Sequence, residues 1–199
     1  MTDTTSHRPS RRGLRLRDYD YAQAGAYFVT VCTDRRRCLF GRIRDDVMRR
    51  NAIGDAVFDR WHALPQHYAG IELDAFVIMP NHVHGILLLG QDDRTDVHQY
   101  GLSEVIRGFK SFSARHINRL RRRPGVPVWQ RSYHDHIIRS DAKLQKIRRY
   151  IEENPLRWAL DRENPANVRS TGGSETRPYT VSKDAVGAGL RPTRKRPQS

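Results

Sequence analysis

Apolar positions along this chain fall into two kinds of pattern. Residues 26–32 (Ala-Tyr-Phe-Val-Thr-Val-Cys) are β-branched and aromatic almost throughout, as in a strand buried on both sides. Residues 38–43 follow a polar turn at 34–37 and are expected to pair with that strand. Residues 71–79 are strand-like, Pro80-Asn81 reads as a turn or bulge, and residues 82–89 return as the second arm of a hairpin. A last strand is expected over 133–139, after Val128-Trp129.

The other segments repeat at helical spacing. Val47, Ile53, Val57, Trp61 and Leu64 predict a helix over 46–64, ended by Pro65. Val105, Ile106, Phe109, Phe112 and Ile117 predict a second over 102–120, with Ser103 as its N-cap. Leu144, Ile147 and Ile151 predict a third from Asp141 to Tyr150, capped by Ser140, with a further turn at 156–160. The order is strand, helix, strand, strand, helix, strand, helix. It predicts an α+β protein with a ferredoxin-like βαββαβ core: an antiparallel sheet, helices on one face, and a C-terminal helix beyond.

Composition narrows the partner. Of 199 residues, 36 are Lys or Arg against 22 Asp or Glu, a net charge of +14 spread along the chain. Such a balance points to a polyanion, nucleic acid above all. The Arg-rich residues 1–20 read as a basic flexible arm, residues 21–163 as the folded domain, and residues 164–199 as a basic tail too poor in large apolar groups to fold. Two cysteines, Cys32 and Cys38, stand outside any CxxC pair, so a zinc ribbon or disulfide framework is not expected. No apolar run nears the roughly 18 residues of a membrane span, and the N-terminus lacks the apolar core of a signal peptide. A cytoplasmic, nucleoid-associated protein is the expectation.

Chemistry concentrates in two short stretches. In Met79-Pro80-Asn81-His82-Val83-His84, two histidines flank one apolar residue. On a strand they point to the same face and make a ready pair of metal ligands. In Tyr150-Ile151-Glu152-Glu153-Asn154-Pro155, Tyr150 and Asn154 share one helix face. Tyr150 is the candidate nucleophile, its phenolate favoured by a metal and by nearby arginines such as Arg148 and Arg149. Asn154 is the candidate third ligand, with Glu153 or His136 as alternatives. Two nitrogens and one oxygen suit Mg²⁺ or Mn²⁺ alongside a phosphate substrate. Gly85 reads as room for close approach of a ligand.

With Tyr27-Phe28-Val29-Thr30 and Trp129-Gln130-Arg131-Ser132-Tyr133-His134-Asp135-His136-Ile137-Ile138-Arg139, these stretches resemble the His-apolar-His, single-tyrosine transposases of single-stranded DNA, and within them the branch associated with repetitive extragenic palindromes (REPs). The resemblance covers about residues 20–160. It implies His82 and His84 as metal ligands, Tyr150 as nucleophile, a 5′-phosphotyrosine intermediate, hairpin DNA as partner, no need for ATP, and a monomer or homodimer. Relatives in mobile elements often carry Gln four residues after the tyrosine, where this chain has Asn154.

DNA holding is expected from Arg11 and Arg12 of the arm, from Arg107, Lys110, Arg115, Arg119, Arg121, Arg122 and Arg123, and from Arg131, Arg139 and Arg148. Trp129 or Tyr133 is expected to stack on an unpaired base. The rival expectation is the same fold gripping structured DNA or RNA without chemistry.

Overall fold

A computed structural model of the chain describes residues 24–90 and 100–168. Arg11, Arg12 and the rest of the arm, and the tail beyond 168, lie outside the described residues.

Four strands form the main sheet: β1 (Gly25–Cys32), β4 (Ile71–Ile78), β5 (His82–Leu89) and β6 (His134–Ile138), in the spatial order β4-β5-β1-β6 with every pairing antiparallel. Counting only these four, the order is 2-3-1-4, that of a ferredoxin-like sheet. Three main helices accompany it: α1 (Ala52–His62), α3 (Leu102–Leu120) and α4 (Asp141–Glu153).

Strand alternation sorts the core into two layers. Tyr27, Val29 and Val31 of β1, with Val83, Leu87 and Leu89 of β5, pack with Trp61 of α1 and with Val105, Ile106, Phe109 and Ile117 of α3. Phe28 and Ile86 point the other way and meet Ile147 and Ile151 of α4, with Ile138 of β6. Thus α1 and α3 share one face, as the pattern predicted, and α4 covers the opposite one. His82 and His84 share the parity of Ile86, so they open onto the α4 side.

Gly85 has the opposite parity, which changes its role. A Cβ there would lie 2.3 Å from Cζ2 of Trp61 and 3.1 Å from Phe76. The space is filled by the Trp61 indole, fully buried and stacked on Phe76 with ring centroids 4.6 Å apart, and not by a ligand. Gly85→Ala is expected to cost about 1–3 kcal/mol by overpacking. A lower urea midpoint with unchanged slope would show it; an unchanged midpoint would mean that Trp61 moves aside freely.

The pattern misplaced one element. Residues 41–50 form a separate ribbon, β2 (Gly41–Arg44) and β3 (Val47–Arg50), instead of adding to the main sheet and opening a helix at 46. Asp45 and Asp46 at its tip both have positive φ (49° and 57°), as a two-residue hairpin turn of matching twist requires. The helix begins at Ala52, where the side chain of Asn51 accepts from the amides of Ile53 and Gly54. Helix α1 stops at His62, and Pro65 sits in the first turn of a short helix, α2 (Leu64–His67). Helix α3 is preceded by Gly101 with no side-chain cap, so Ser103 does not cap it, whereas Ser140 caps α4 by accepting from the amide of Lys143. Phe112 lies outside the buried stripe of α3, half exposed, with the Arg115 guanidinium 4.6 Å above its ring.

After α4 the chain makes a 3₁₀ turn (Pro155–Leu160) and a last short helix, α5 (Pro165–Val168). Side-chain amides of Asn164 and Asn167 donate to the carbonyls of Trp158 and Ala159. Local hydrogen bonding thus extends to Asn167. Among the described residues no helix is long and apolar enough to cross a membrane.

Candidate metal and tyrosine site

His82 opens β5 directly after the Pro80-Asn81 turn, where the amide of Met79 donates to the carbonyl of His82. Both histidine rings are buried, and their Nε2 atoms lie 3.1 Å apart. Their Nδ1 atoms are held from behind. The Asn81 amide donates from Nδ2 to the carbonyls of Arg36 (3.0 Å) and Glu163 (2.5 Å), so the atom it turns to His82 Nδ1, at 2.9 Å, is its oxygen. His82 must therefore donate from Nδ1, leaving Nε2 bare. Thr30, the cross-strand neighbour of His84, places Oγ1 2.8 Å from His84 Nδ1. In the tautomer that donates to Thr30, both Nε2 lone pairs point at one place. A metal–nitrogen bond of about 2.1 Å at angles of 90–109° puts two nitrogens roughly 3.0–3.4 Å apart, which the observed spacing fits.

The electrostatics suit ligation. Burial, then the charges of His84 and Arg36, push the His82 imidazole well below its ordinary range. Burial lowers His84 to about 3. Both rings are neutral near pH 7, the state that binds metal.

A carboxylate completes the cluster. Asp161, just after the 3₁₀ turn, places Oδ2 3.8 Å from His82 Nε2, while its Oδ1 accepts from the amide of Glu163. His82, His84 and Asp161 form a group able to hold a metal ion. Arg36 fixes this segment through an ion pair with Glu163 (2.8 Å), and the Cys32 thiol donates to the same carboxylate. Burial and that carboxylate push the Cys32 thiol up, so it stays a neutral thiol. Pattern reasoning missed Asp161, Arg36 and Glu163. The one available signal was a pair of acids, Asp161 and Glu163, shortly after the helix.

Asn154 sits at the C-terminal end of α4, almost fully buried, and its Oδ1 has no hydrogen-bond partner among the described residues. An orphaned buried acceptor is costly, which is consistent with a ligand's role. Glu153 is committed elsewhere, to Arg157 at 2.5 Å. His136 and His134 pair with Phe28 and Thr30 across β1, hence on the same sheet face as the histidine pair, but two strands away.

Tyr150 faces the pair from α4. Its hydroxyl is 3.3 Å from His84 Nε2, and its ring lies edge-on to His84 and Phe28. Helix α4 is seated by Ile147 and Ile151 and by Arg148, which forks onto Asp74 (Nε–Oδ1 2.9 Å, Nη2–Oδ2 2.5 Å). Asp74 stands where the β4–β5 register shifts, between Leu73 and Phe76. Arg148 thereby helps to hold the helix against the sheet. The Arg148 hydrogen bond holds the Asp74 carboxyl below its usual range. A carboxyl depressed on folding stabilises above its unfolded pKa and loses that contribution as pH falls through the folded value. Asp74→Asn should therefore lower Tm at pH 7, with the deficit shrinking below about pH 4. A deficit independent of pH would show that packing, not charge, is involved.

Other expected DNA contacts divide. Arg107, Arg115, Arg119, Arg122, Arg123, Arg131 and Arg139 are exposed. Lys110 donates to the carbonyl of Arg131, and Arg121 to Asn118 and the carbonyl of Val126, so both serve local structure. Trp129 is a core residue: it is buried between Phe40 and Phe109, with its indole N–H on Ser113, and presents no face to a base. Tyr133 packs partly against the same core.

The fold and site define an α+β protein in which two converging imidazoles on a central strand meet a tyrosine from the covering helix. The family model described as "Transposase IS200 like" matches residues 22–154. The chain belongs to that family of transposases. A protein of Haemophilus influenzae, described as uncharacterized, is 35% identical over 164 residues, 76% of this chain and 91% of that protein. The fold resembles a solved structure described as the REP-associated tyrosine transposase bound to a REP hairpin, with TM-score 0.52 and 22% identity over 72% of this chain and 73% of that one. A putative transposase from Deinococcus radiodurans is also similar, at TM-score 0.44 and 22% identity over 69% of this chain and 95% of that one.

Proposed function

We propose that the protein is a metal-dependent endonuclease and strand transferase that cleaves single-stranded DNA beside a palindromic hairpin through a 5′-phosphotyrosine, in the manner of REP-associated transposases. The observation that carries this reading is Tyr150 Oη poised 3.3 Å from one of two buried imidazoles whose Nε2 atoms converge. His82 and His84, with Asp161 and the orphaned Asn154 oxygen, would hold a divalent ion such as Mg²⁺ or Mn²⁺. When bound, such an ion supplies Lewis-acid stabilisation of charge on the scissile phosphate.

Tyr150 attacks phosphorus and gives its phenolic proton to water, the P–O3′ bond breaks, and the leaving 3′ oxygen takes a proton back from water to become the 3′-OH. The phosphotyrosine retains a phosphodiester's bond energy, so joining to another 3′-OH needs no ATP. The buried Ile147 and Ile151 and the Asp74–Arg148 pair fix the nucleophile, as in-line attack demands. The exposed arginines of α3, the 122–123 loop and the β6 region supply phosphate contacts. Action on DNA at the nucleoid, in the cytoplasm, follows from this reading.

A labelled hairpin oligonucleotide with single-stranded flanks, incubated with Mn²⁺ or Mg²⁺, should yield an SDS-stable protein–DNA adduct that EDTA prevents. Tight binding with no cleavage would instead favour a structured-DNA-binding module without chemistry.

A further inference from the structure

The β2–β3 ribbon carries charge that the site does not use. Arg42 is paired with Arg49 and Arg44 with Val47, and cross-strand partners point to the same face. One side of the ribbon therefore shows Arg42, Arg44 and Arg49, all exposed, together with Val47. Like charges directly opposite one another are destabilising, and among the described residues none of the three arginines has an ion-pair partner. The other side is settled against the protein: Met48 packs on the core, and Arg50 pairs with Asp55 and lies over Phe58. Gly41 holds the ribbon closed. Its φ is 144°, and a Cβ would meet the Arg49 carbonyl oxygen at 2.1 Å.

The ribbon rises beside the histidine site. At its base the amide of Phe40 donates to the carbonyl of Pro80, two residues before His82. Strand β3 packs against the 3₁₀ turn that links Asn154 to Asp161. Arg42 and Arg44 stand about 6.8 Å apart along their strand, the length of roughly two base steps along a duplex. No aromatic residue belongs to the ribbon, whereas single-strand grips rely on aromatic stacking.

We propose that the Arg42–Arg44–Arg49 face holds the phosphate backbone of the duplex stem of a folded DNA, delivering the adjoining single strand to His82, His84 and Tyr150. This rests on the function proposed above, and it specifies where the double-stranded part of the substrate lies.

The test compares the full chain with Arg42→Gln/Arg44→Gln/Arg49→Gln and with the triple Arg→Lys variant. Fluorescence anisotropy is read on a hairpin with a single-stranded flank and on the flank alone, across a salt series. The Gln variant should bind the hairpin at least tenfold more weakly near 0.1 M salt. Its slope of log affinity on log salt should be shallower by about 2–3, since each lost phosphate contact removes roughly 0.9. The flank alone should bind within twofold of wild type, and the Lys variant should keep the steep slope, which guards against a folding defect. Unchanged hairpin binding would overturn the proposal, leaving a solvated or protein-binding face. Equal losses on both DNAs would overturn it too, by showing no preference for a stem. Because the readout is equilibrium binding, a wild-type protein that formed no covalent adduct would sink the chemistry proposed above while leaving this comparison readable.

Discussion

Tyr150→Phe should abolish the covalent protein–DNA adduct and reduce cleavage by on the order of 10³-fold or more, with hairpin affinity within about twofold of wild type. The expectation is steep because the hydroxyl is the only atom removed. The ring stays against Phe28 and His84, and Ile147 and Ile151 keep α4 in place. Binding and chemistry should therefore separate cleanly. The check is a gel under denaturing conditions for adduct, beside anisotropy for affinity. Equal cleavage by both proteins would mean that water or another side chain attacks.

His82→Ala and His84→Ala are expected to have the second largest effect. Loss of an outer partner of a metal ligand commonly lowers affinity 10–100-fold, and loss of a ligand itself should cost at least the upper end of that range. The positions are graded. Asn81→Ala, which frees His82 Nδ1 but leaves both imidazoles, should weaken Mn²⁺ binding by roughly 10–100-fold, and either histidine variant should weaken it further. Calorimetric titration with Mn²⁺ alone measures this without DNA or turnover. Wild-type Mn²⁺ binding in both histidine variants would remove them from the metal site.

Much of the main sheet could be read from the chain because each strand carries its own signal. Residues 26–32 and 82–89 are nearly continuous apolar runs, and they became the two central strands, buried on both faces. The histidine pair followed from period two alone, and the i, i+4 spacing of Tyr150 and Asn154 survives on α4. The β2–β3 ribbon was hidden by Val47, which falls by coincidence at helical spacing from Ile53 and Val57. The stronger local signals were Asp45-Asp46 as a hairpin turn and Asn51 as a cap. Asp161 was hidden for a different reason. It follows Pro155 in a segment with no periodicity, and only long-range contacts through Arg36, Asn81 and Glu163 bring it to His82. Trp129 and Arg148 show the same limit from the other side: their residue types suit DNA, but their partners, Ser113 and Asp74, lie far away in sequence. Spacing reports which face a side chain takes, not what waits there.

The most direct measurement is peptide mapping of the wild-type protein after reaction with a hairpin oligonucleotide and Mn²⁺. Nuclease trimming followed by mass spectrometry would locate any residual nucleotide. The account predicts a 5′-phosphonucleotide on the peptide containing Tyr150, and none when EDTA replaces the metal. Metal-dependent cleavage that leaves every tyrosine unmodified, or an adduct at a residue other than Tyr150, would contradict it.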